Sequence, residues 1–298
     1  MDLTVIIQVA IGMIFVWIIL AMITSQVQDW IASMLSWRAS MLEDTIGNML
    51  GDPKLKEKIY NHPLIKGLYT NNGKRKPGGI PEDKFALVLF EQVIDSGITV
   101  GDVKNDFEKL KKNVEALKAS EGNNGLKNFA TSLDTLLIGV EEKADDATHA
   151  ITEARQRVES WFNNSMERLG GAYRRRMQII AIIVGIAVAA TLNVDTGAIM
   201  TTLWKDPAVR QAVAAQASQL QQSDTQSSQP PSAEEIAKNV DKLNALSFPI
   251  GWSSKTTPSD ANGWVVKIIG ILLSGIMAAQ GAPYWFDLMK KLLSRGSK

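Results

Sequence analysis

Cysteine is absent from the 298 residues. That removes disulfide scaffolds, thiol nucleophiles, thiolate zinc sites and iron–sulfur clusters. Histidine occurs only twice, so a multi-histidine metal centre is excluded as well. Neither sign of charge dominates: 32 Lys and Arg stand against 31 Asp and Glu, a formal net charge of +1. A protein that holds nucleic acid through bulk positive charge needs a basic excess, and there is none. The Gly-rich phosphate loops, the GxSxG elbow and the HExxH zinc helix are missing too. No alternating strand pattern occurs, nor an Asn-Gly hairpin between β-branched runs. The chain is therefore not expected to be an enzyme, no cofactor or metal is implied, and its elements should be helices.

What is present is segregated. Leu3 to Ser25 carries no charge. As a helix rising 1.5 Å per residue it would span roughly 33 Å, enough to cross a bilayer core. No basic region precedes it and no small-residue cleavage site follows, so an uncleaved anchor is expected rather than a signal peptide. Met177 to Val194 is a second apolar run, preceded directly by Arg174, Arg175 and Arg176. Trp264 to Gln280 is a third, with Lys267 near its start, where a lysine stem can snorkel to the headgroups.

Flanking Lys and Arg set the orientation. With the amino terminus outside, Arg38, Arg168, Arg174, Arg175, Arg176, Lys290, Lys291, Arg295 and Lys298 fall on the cytoplasmic side. Close to the ends of the apolar runs, only Lys205 and Lys255 are left outside. The reading is an all-α membrane protein of three transmembrane helices, a helical cytoplasmic domain and a small helical outer domain. Its parts are transmembrane helix 1 at 1–25, the cytoplasmic domain at 26–172 and transmembrane helix 2 at 173–196. An outer segment follows at 197–263 with a linker at 221–232, then transmembrane helix 3 at 264–280 and an interfacial amphipathic tail at 281–298.

Within the cytoplasmic domain, Val27, Trp30, Ile31, Met34, Leu35, Met41, Leu42, Ile46 and Met49 recur at three- and four-residue steps. With no Pro or Gly before Gly47, helix 1 is expected to continue as an amphipathic rod. Asp52-Pro53 and His62-Pro63 each start a new helix, a cap followed by proline at the first helical position. Asn71 to Ile80, NNGKRKPGGI, reads as an exposed loop. Helical stripes then follow through Phe85–Ile94, Val103–Leu117 and Leu126–Val140. The last stripe runs from Ile151 to Leu169, where Gly170-Gly171 would permit a bend before the membrane. Outside, Asp195 and Asp206-Pro207 cap two helices. In the tail, Leu288, Met289, Leu292 and Leu293 oppose Lys290, Lys291 and Arg295, an amphipathic helix suited to an anionic leaflet.

The spans carry their own signals. Ala181, Gly185 and Ala189 in the second and Gly270, Ser274 and Ala278 in the third are small residues at four-residue steps, so these two faces are expected to pack together. Gln8, Asn193 and Lys267 are the polar side chains within or beside the spans. Gln8 in lipid needs a partner, either Asn193 or its copy in a second chain. Arg174, Arg175, Arg176, Lys290, Lys291 and Arg295 are the candidate lipid-headgroup contacts.

Several strings occur together: HPLI at 62–65, SMERLGGAYRRR at 165–176, LNVDTGAI at 192–199, LWKDPAVR at 203–210, FPIGW at 248–252 and GAPYWFDLMKKL at 281–292. With them the chain resembles a widespread family of uncharacterised bacterial inner-membrane proteins. It departs from that pattern at 71–81, where KPGGIP replaces a PSYIP-like string. The resemblance implies the bacterial inner membrane and no particular activity. The expectation is an oligomeric scaffold or anchor that contacts membrane lipids, itself and an unidentified cytoplasmic protein, but no nucleic acid. An oligomeric pore or channel built from the same spans is the alternative.

Overall fold

The computed structural model describes residues 3–94, 103–119, 123–140, 147–224, 234 and 248–296. Thr99 with Asp102 and Ser232 with Glu235 have the spacing of helix capping boxes, and 141–146 holds an acidic cluster; all of these lie outside the described residues. Among the described residues the structure is helical, with no strand and one isolated bridge, Thr70 to Arg75. The helices are α1 (Leu3–Leu35), α2 (Trp37–Leu50), α3 (Pro53–Asn61), α4 (Pro63–Lys66), α5 (Glu82–Ile94) and α6 (Val103–Ala119). They continue as α7 (Asn124–Leu137), α8 (Ala147–Thr191), α9 (Thr196–Lys205), α10 (Pro207–Asp224), α11 (Ala261–Ala278) and α12 (Ala282–Gly296).

The chain divides into two compact units, one of Met1–Ile31 with Arg176–Lys298 and one of Ala32–Arg175. The first contains two helices long and apolar enough to cross a membrane, Leu3–Ala32 and Ala261–Ala278. The end of α8 and α9 would make a third as one broken span, bent by 58° at the break. The protein is thus an all-helical membrane protein, and the first unit is its membrane unit.

In the membrane unit α1 is the central helix. Phe15, Val16, Ile18, Ile19 and Ala21 are all at most 1% exposed, on every side of the helix. The middle of α1 therefore has no free face. Gly12 sits against Leu203 of α9 and Val213 of α10, so the outer segment folds onto α1. α11 is the opposite case: 33% of its apolar stretch is buried against 67% for α1. Its outward Val265, Val266, Ile268 and Ile269 are free for lipid. The tail also differs from expectation. Trp285, Phe286 and Met289 of α12 are buried in the unit's own core, with Trp285 against the Trp17 ring of α1 at 4.7 Å. Protein, not only the leaflet, takes up the apolar face of α12. α10 runs through Asp224, so the first residues of the expected linker at 221–232 are helical.

The second unit has a separate core. Phe85 stacks on Phe162 at 4.0 Å between ring centres, and Ile46, Leu50, Ile59, Leu110 and Phe129 close around them. Each such fully buried side chain contributes roughly 1.5–3 kcal/mol. The proline starts form as read: Asp52 accepts from Lys54 N–H at 2.7 Å, and the His62 ring accepts from Leu64 N–H at 3.3 Å. Gly51, at φ +62°, meets Gly125 backbone to backbone, an approach that leaves no room for a Cβ on either.

Two local expectations are corrected and a third gains detail. The rod is not continuous: Ser36 adopts φ 47° between α1 and α2, and its carbonyl accepts from Ala39 and Ser40 N–H. The break lets α2 turn Leu42, Ile46 and Leu50 into the core, while Trp30, Met34 and Leu35 stay exposed. Residues 71–76 and 79 are exposed, as expected of the loop, but it has internal order. Asn71, Asn72 and Gly73 are all left-handed, and Thr70 and Arg75 exchange backbone bonds across them. Its Lys76 is not a free tip but pairs with Glu43 at 2.7 Å. Finally, α8 passes through Gly170-Gly171 without a break.

Candidate functional site

The membrane unit gathers its polar side chains around the break between α8 and α9. Asn193 takes φ 51°, which stops α8. Asp195 then caps α9, accepting from Gly197 N–H at 2.9 Å and Ala198 N–H at 3.2 Å. An anionic side chain is favoured there by the exposed amides and the helix dipole. Thr196 N–H donates to Ser274 Oγ at 3.1 Å, the two hydroxyls lie 2.8 Å apart, and Trp17 Nε1–H reaches Thr196 Oγ1 at 3.4 Å. Gly270 lies so close to the Asp195 carboxylate that any Cβ would collide with it.

Backbone groups released by a bend must find partners in lipid. Here the FPIGW segment provides them. Gly251 N–H donates to Leu192 O at 2.9 Å, Asn193 Nδ2–H to Gly251 O at 2.7 Å, and Trp252 Nε1–H to Ala190 O at 2.9 Å. Asn193 is fully buried and its Oδ1 has no partner among the described residues. Lys267 is 5% exposed, with its ammonium 5.3 Å from the Trp252 ring centre. That corrects the snorkelling picture: the stem turns inward under an aromatic ring.

Gln8 does not meet Asn193; its oxygen is taken within its own chain. Arg210 of α10, 7% exposed, donates from Nε to Gln8 Oε1 at 3.2 Å. The same guanidinium reaches Leu203 O at 2.9 Å and Trp204 O at 3.4 Å, the end carbonyls of α9. Arg210 therefore closes the α9 terminus and ties it to α1.

Of the small residues, Ala181, Gly185 and Ala189 are buried on α8, and Gly270, Ser274 and Ala278 on α11. A Cβ on Gly185 would stand 2.5 Å from Gly275 O, so the two backbones touch there. Arg174, Arg175 and Arg176 are exposed, Lys290 is half-buried and Lys291 exposed. The Arg295 side chain lies outside the described residues.

In the second unit a cavity of about 470 Å³ opens between α2, the 78–80 segment and α8. Arg38 and Arg174 stand at its edge, and Met41, Met166, Leu169 and Tyr173 form its apolar wall. Sequence reasoning missed this cavity and missed Arg210. A signal for Arg210 was present: it falls on the same helix face as Val213 and Ala217, both fully buried. Comparison with known proteins finds no family model, no curated protein and no solved structure that matches the chain.

Proposed function

We infer that the chain is a membrane-anchored helical scaffold of the bacterial inner membrane, whose membrane unit holds it in the bilayer and whose second unit meets its partners. The observation that carries the reading is the closure of polar side chains in the membrane unit. Gln8 is taken by Arg210, Asp195 by the amides of α9, and Ser274 by Thr196. Side chains consumed in this way fix helices to one another and are not free to line a water path. The amino terminus faces outside and the carboxyl terminus the cytoplasm, on the charge bias around the spans. Arg174, Arg175, Arg176, Lys290, Lys291 and Arg295 then face the anionic leaflet, each contributing about 1 kcal/mol. Self-association runs through the exposed Trp30, Met34 and Leu35 at the end of α1, and the same surface suits a cytoplasmic protein partner. No cofactor or nucleic acid takes part.

A pore formed by several copies is the second reading. The buried Lys267 and the unpartnered Asn193 Oδ1 favour it. One experiment separates the two. The full chain, reconstituted into vesicles holding an ion gradient, should leave the gradient intact and cross-link as a multimer that Trp30→Glu weakens. Ion flux abolished by Lys267→Met would replace the scaffold by the pore. Orientation is read on the cysteine-free background from Glu108→Cys and Ser254→Cys, both at exposed positions. An impermeant thiol reagent on intact cells should label only the Ser254→Cys protein, and labelling of only the Glu108→Cys protein would reverse the topology.

A further inference from the structure

We propose that the second unit binds one anionic phospholipid in the cavity beside Arg38 and Arg174. The inference rests on the membrane reading above. The cavity's size, about 470 Å³, suits a headgroup and part of a chain, and its lining combines two chemistries. Its edge carries two guanidinium groups, both exposed and neither in an ion pair among the described residues. No carboxylate lines it. Two unneutralised arginines facing one opening attract a phosphate diester and can grip its oxygens with forked N–H donors.

Behind the arginines the wall is apolar: Met41, Leu42, Ile80, Met166, Leu169 and the Tyr173 ring. A free phosphate or a sugar phosphate would leave that wall wet. An amphiphile fills both parts, its phosphate at the arginines and its acyl carbons on the methionines, which adapt to irregular chains. The glycines make room. Gly79 has nothing within 4 Å of an added Cβ, and a Cβ added at Gly78 would stand 3.4 Å from the Arg38 stem. A side chain at 78 would therefore crowd the Arg38 stem, whose charge stays at the opening.

The occupant is a lipid because of where Arg174 lies in the chain. Two residues separate it from Met177, the first residue of the second apolar run. A headgroup bound at Arg174 therefore stays at the edge of the bilayer, and the lipid need not leave it. Arg175 and Arg176 follow on the same helix but do not line the cavity. At 100° per residue they point elsewhere. They add general attraction to an anionic surface without forming the site.

The test uses the full chain, purified in mild detergent and incubated with phosphatidylglycerol or phosphatidylcholine, with lipid retention read by native mass spectrometry. The wild type should retain one phosphatidylglycerol and not phosphatidylcholine. The double variant Arg38→Gln/Arg174→Gln should lose affinity for it by about tenfold or more, the loss of roughly one charge-assisted contact. The variant Lys112→Gln/Lys127→Gln, at exposed positions outside the cavity and with the same net charge, should keep it within about threefold. Gly79→Leu, placed where an added side chain meets nothing, should fill the opening and reduce retention without unfolding the chain. Equal losses in the two double variants would overturn the site in favour of plain surface charge. Equal retention of both lipids would overturn it as well, as would displacement by millimolar inorganic phosphate, which would mark an anion site. If the chain sediments with membranes but holds no lipid, this inference fails alone; if it does not sediment with membranes, the anchor reading fails first.

Discussion

Replacing Arg210 tests whether the polar residue near the start of α1 serves its own chain or a second copy. The guanidinium makes three contacts, to Gln8 Oε1 at 3.2 Å, Leu203 O at 2.9 Å and Trp204 O at 3.4 Å. Hydrogen bonds to a charged group contribute about 1.5–3 kcal/mol in water-soluble proteins, and interhelical pairs in membranes average about 0.6. Between those limits, Arg210→Met should cost about 3 kcal/mol, because it also strips the two end carbonyls of α9. Gln8→Leu should cost less, about 1 kcal/mol, since Arg210 keeps both carbonyls. The double variant should fall short of the sum by about 1 kcal/mol, the coupling of a direct pair. The assay is reversible unfolding of the full chain in mixed micelles of increasing denaturing detergent, at two protein concentrations. Additivity within about 0.3 kcal/mol would refute the pair. A Gln8→Leu cost that grows with protein concentration would restore the contact between copies.

Gly185→Ala should destabilise the membrane unit by about 1–3 kcal/mol, because its Cβ would stand 2.5 Å from the Gly275 carbonyl. Gly171→Ala in the same helix meets nothing within 4 Å and should stabilise by up to about 1 kcal/mol; the same sign for both in thermal unfolding would contradict the close approach. Glu43 supplies a pH test. Its hydrogen bond to Lys76, against opposing burial and helped by Lys56, holds its carboxyl below the ordinary value of 4.5. A depressed carboxylate adds stability that is present above that value and fades as pH falls through the lower folded one. The melting-temperature gap between wild type and Glu43→Gln should therefore narrow below about pH 4.5, and a gap constant from about pH 7 to pH 3 would remove the ion pairs from the account.

The helical unit was legible wherever the information is local. Asp52-Pro53 and His62-Pro63 place cap and first-turn proline in two adjacent residues, and both helices start there. Apolar periodicity picked out Phe85, Phe129, Leu133 and Phe162, all buried. Ser36 was not legible, because serine is not a residue that usually turns left-handed. What fixes it is tertiary: Leu42, Ile46 and Leu50 gain a core that a straight continuation of α1 would not offer them. The cavity was illegible for a related reason. Arg38, Gly78 and Arg174 are far apart in sequence, and each alone reads as a flanking charge or a loop residue.

In the membrane unit, periodicity located the apolar runs and the small residues, but not what holds the break. Gly270 and Ser274 fall on one stripe with Ala278, and a stripe by itself says only that two helices approach. Their chemistry is more specific than that. Gly270 clears space for the Asp195 carboxylate, and Ser274 accepts from Thr196 N–H, so two of the three positions seat the start of α9. Two consequences separate this joint from simple helix packing. Gly270→Ala would drive a methyl group into a carboxylate that is already committed to two amides, so it should uncap α9 as well as part the helices. Ser274→Ala keeps the small volume and removes the hydroxyl, which accepts from Thr196 N–H and donates to Gly270 O at 3.0 Å; it leaves an amide unpaired where water is scarce, a cost of about 1–3 kcal/mol. Packing alone would make Ser274→Ala neutral. The break is thus built into the fold by polar contacts that a hydropathy profile averages away, and α11 is held by the bend in its neighbour as much as by its small residues.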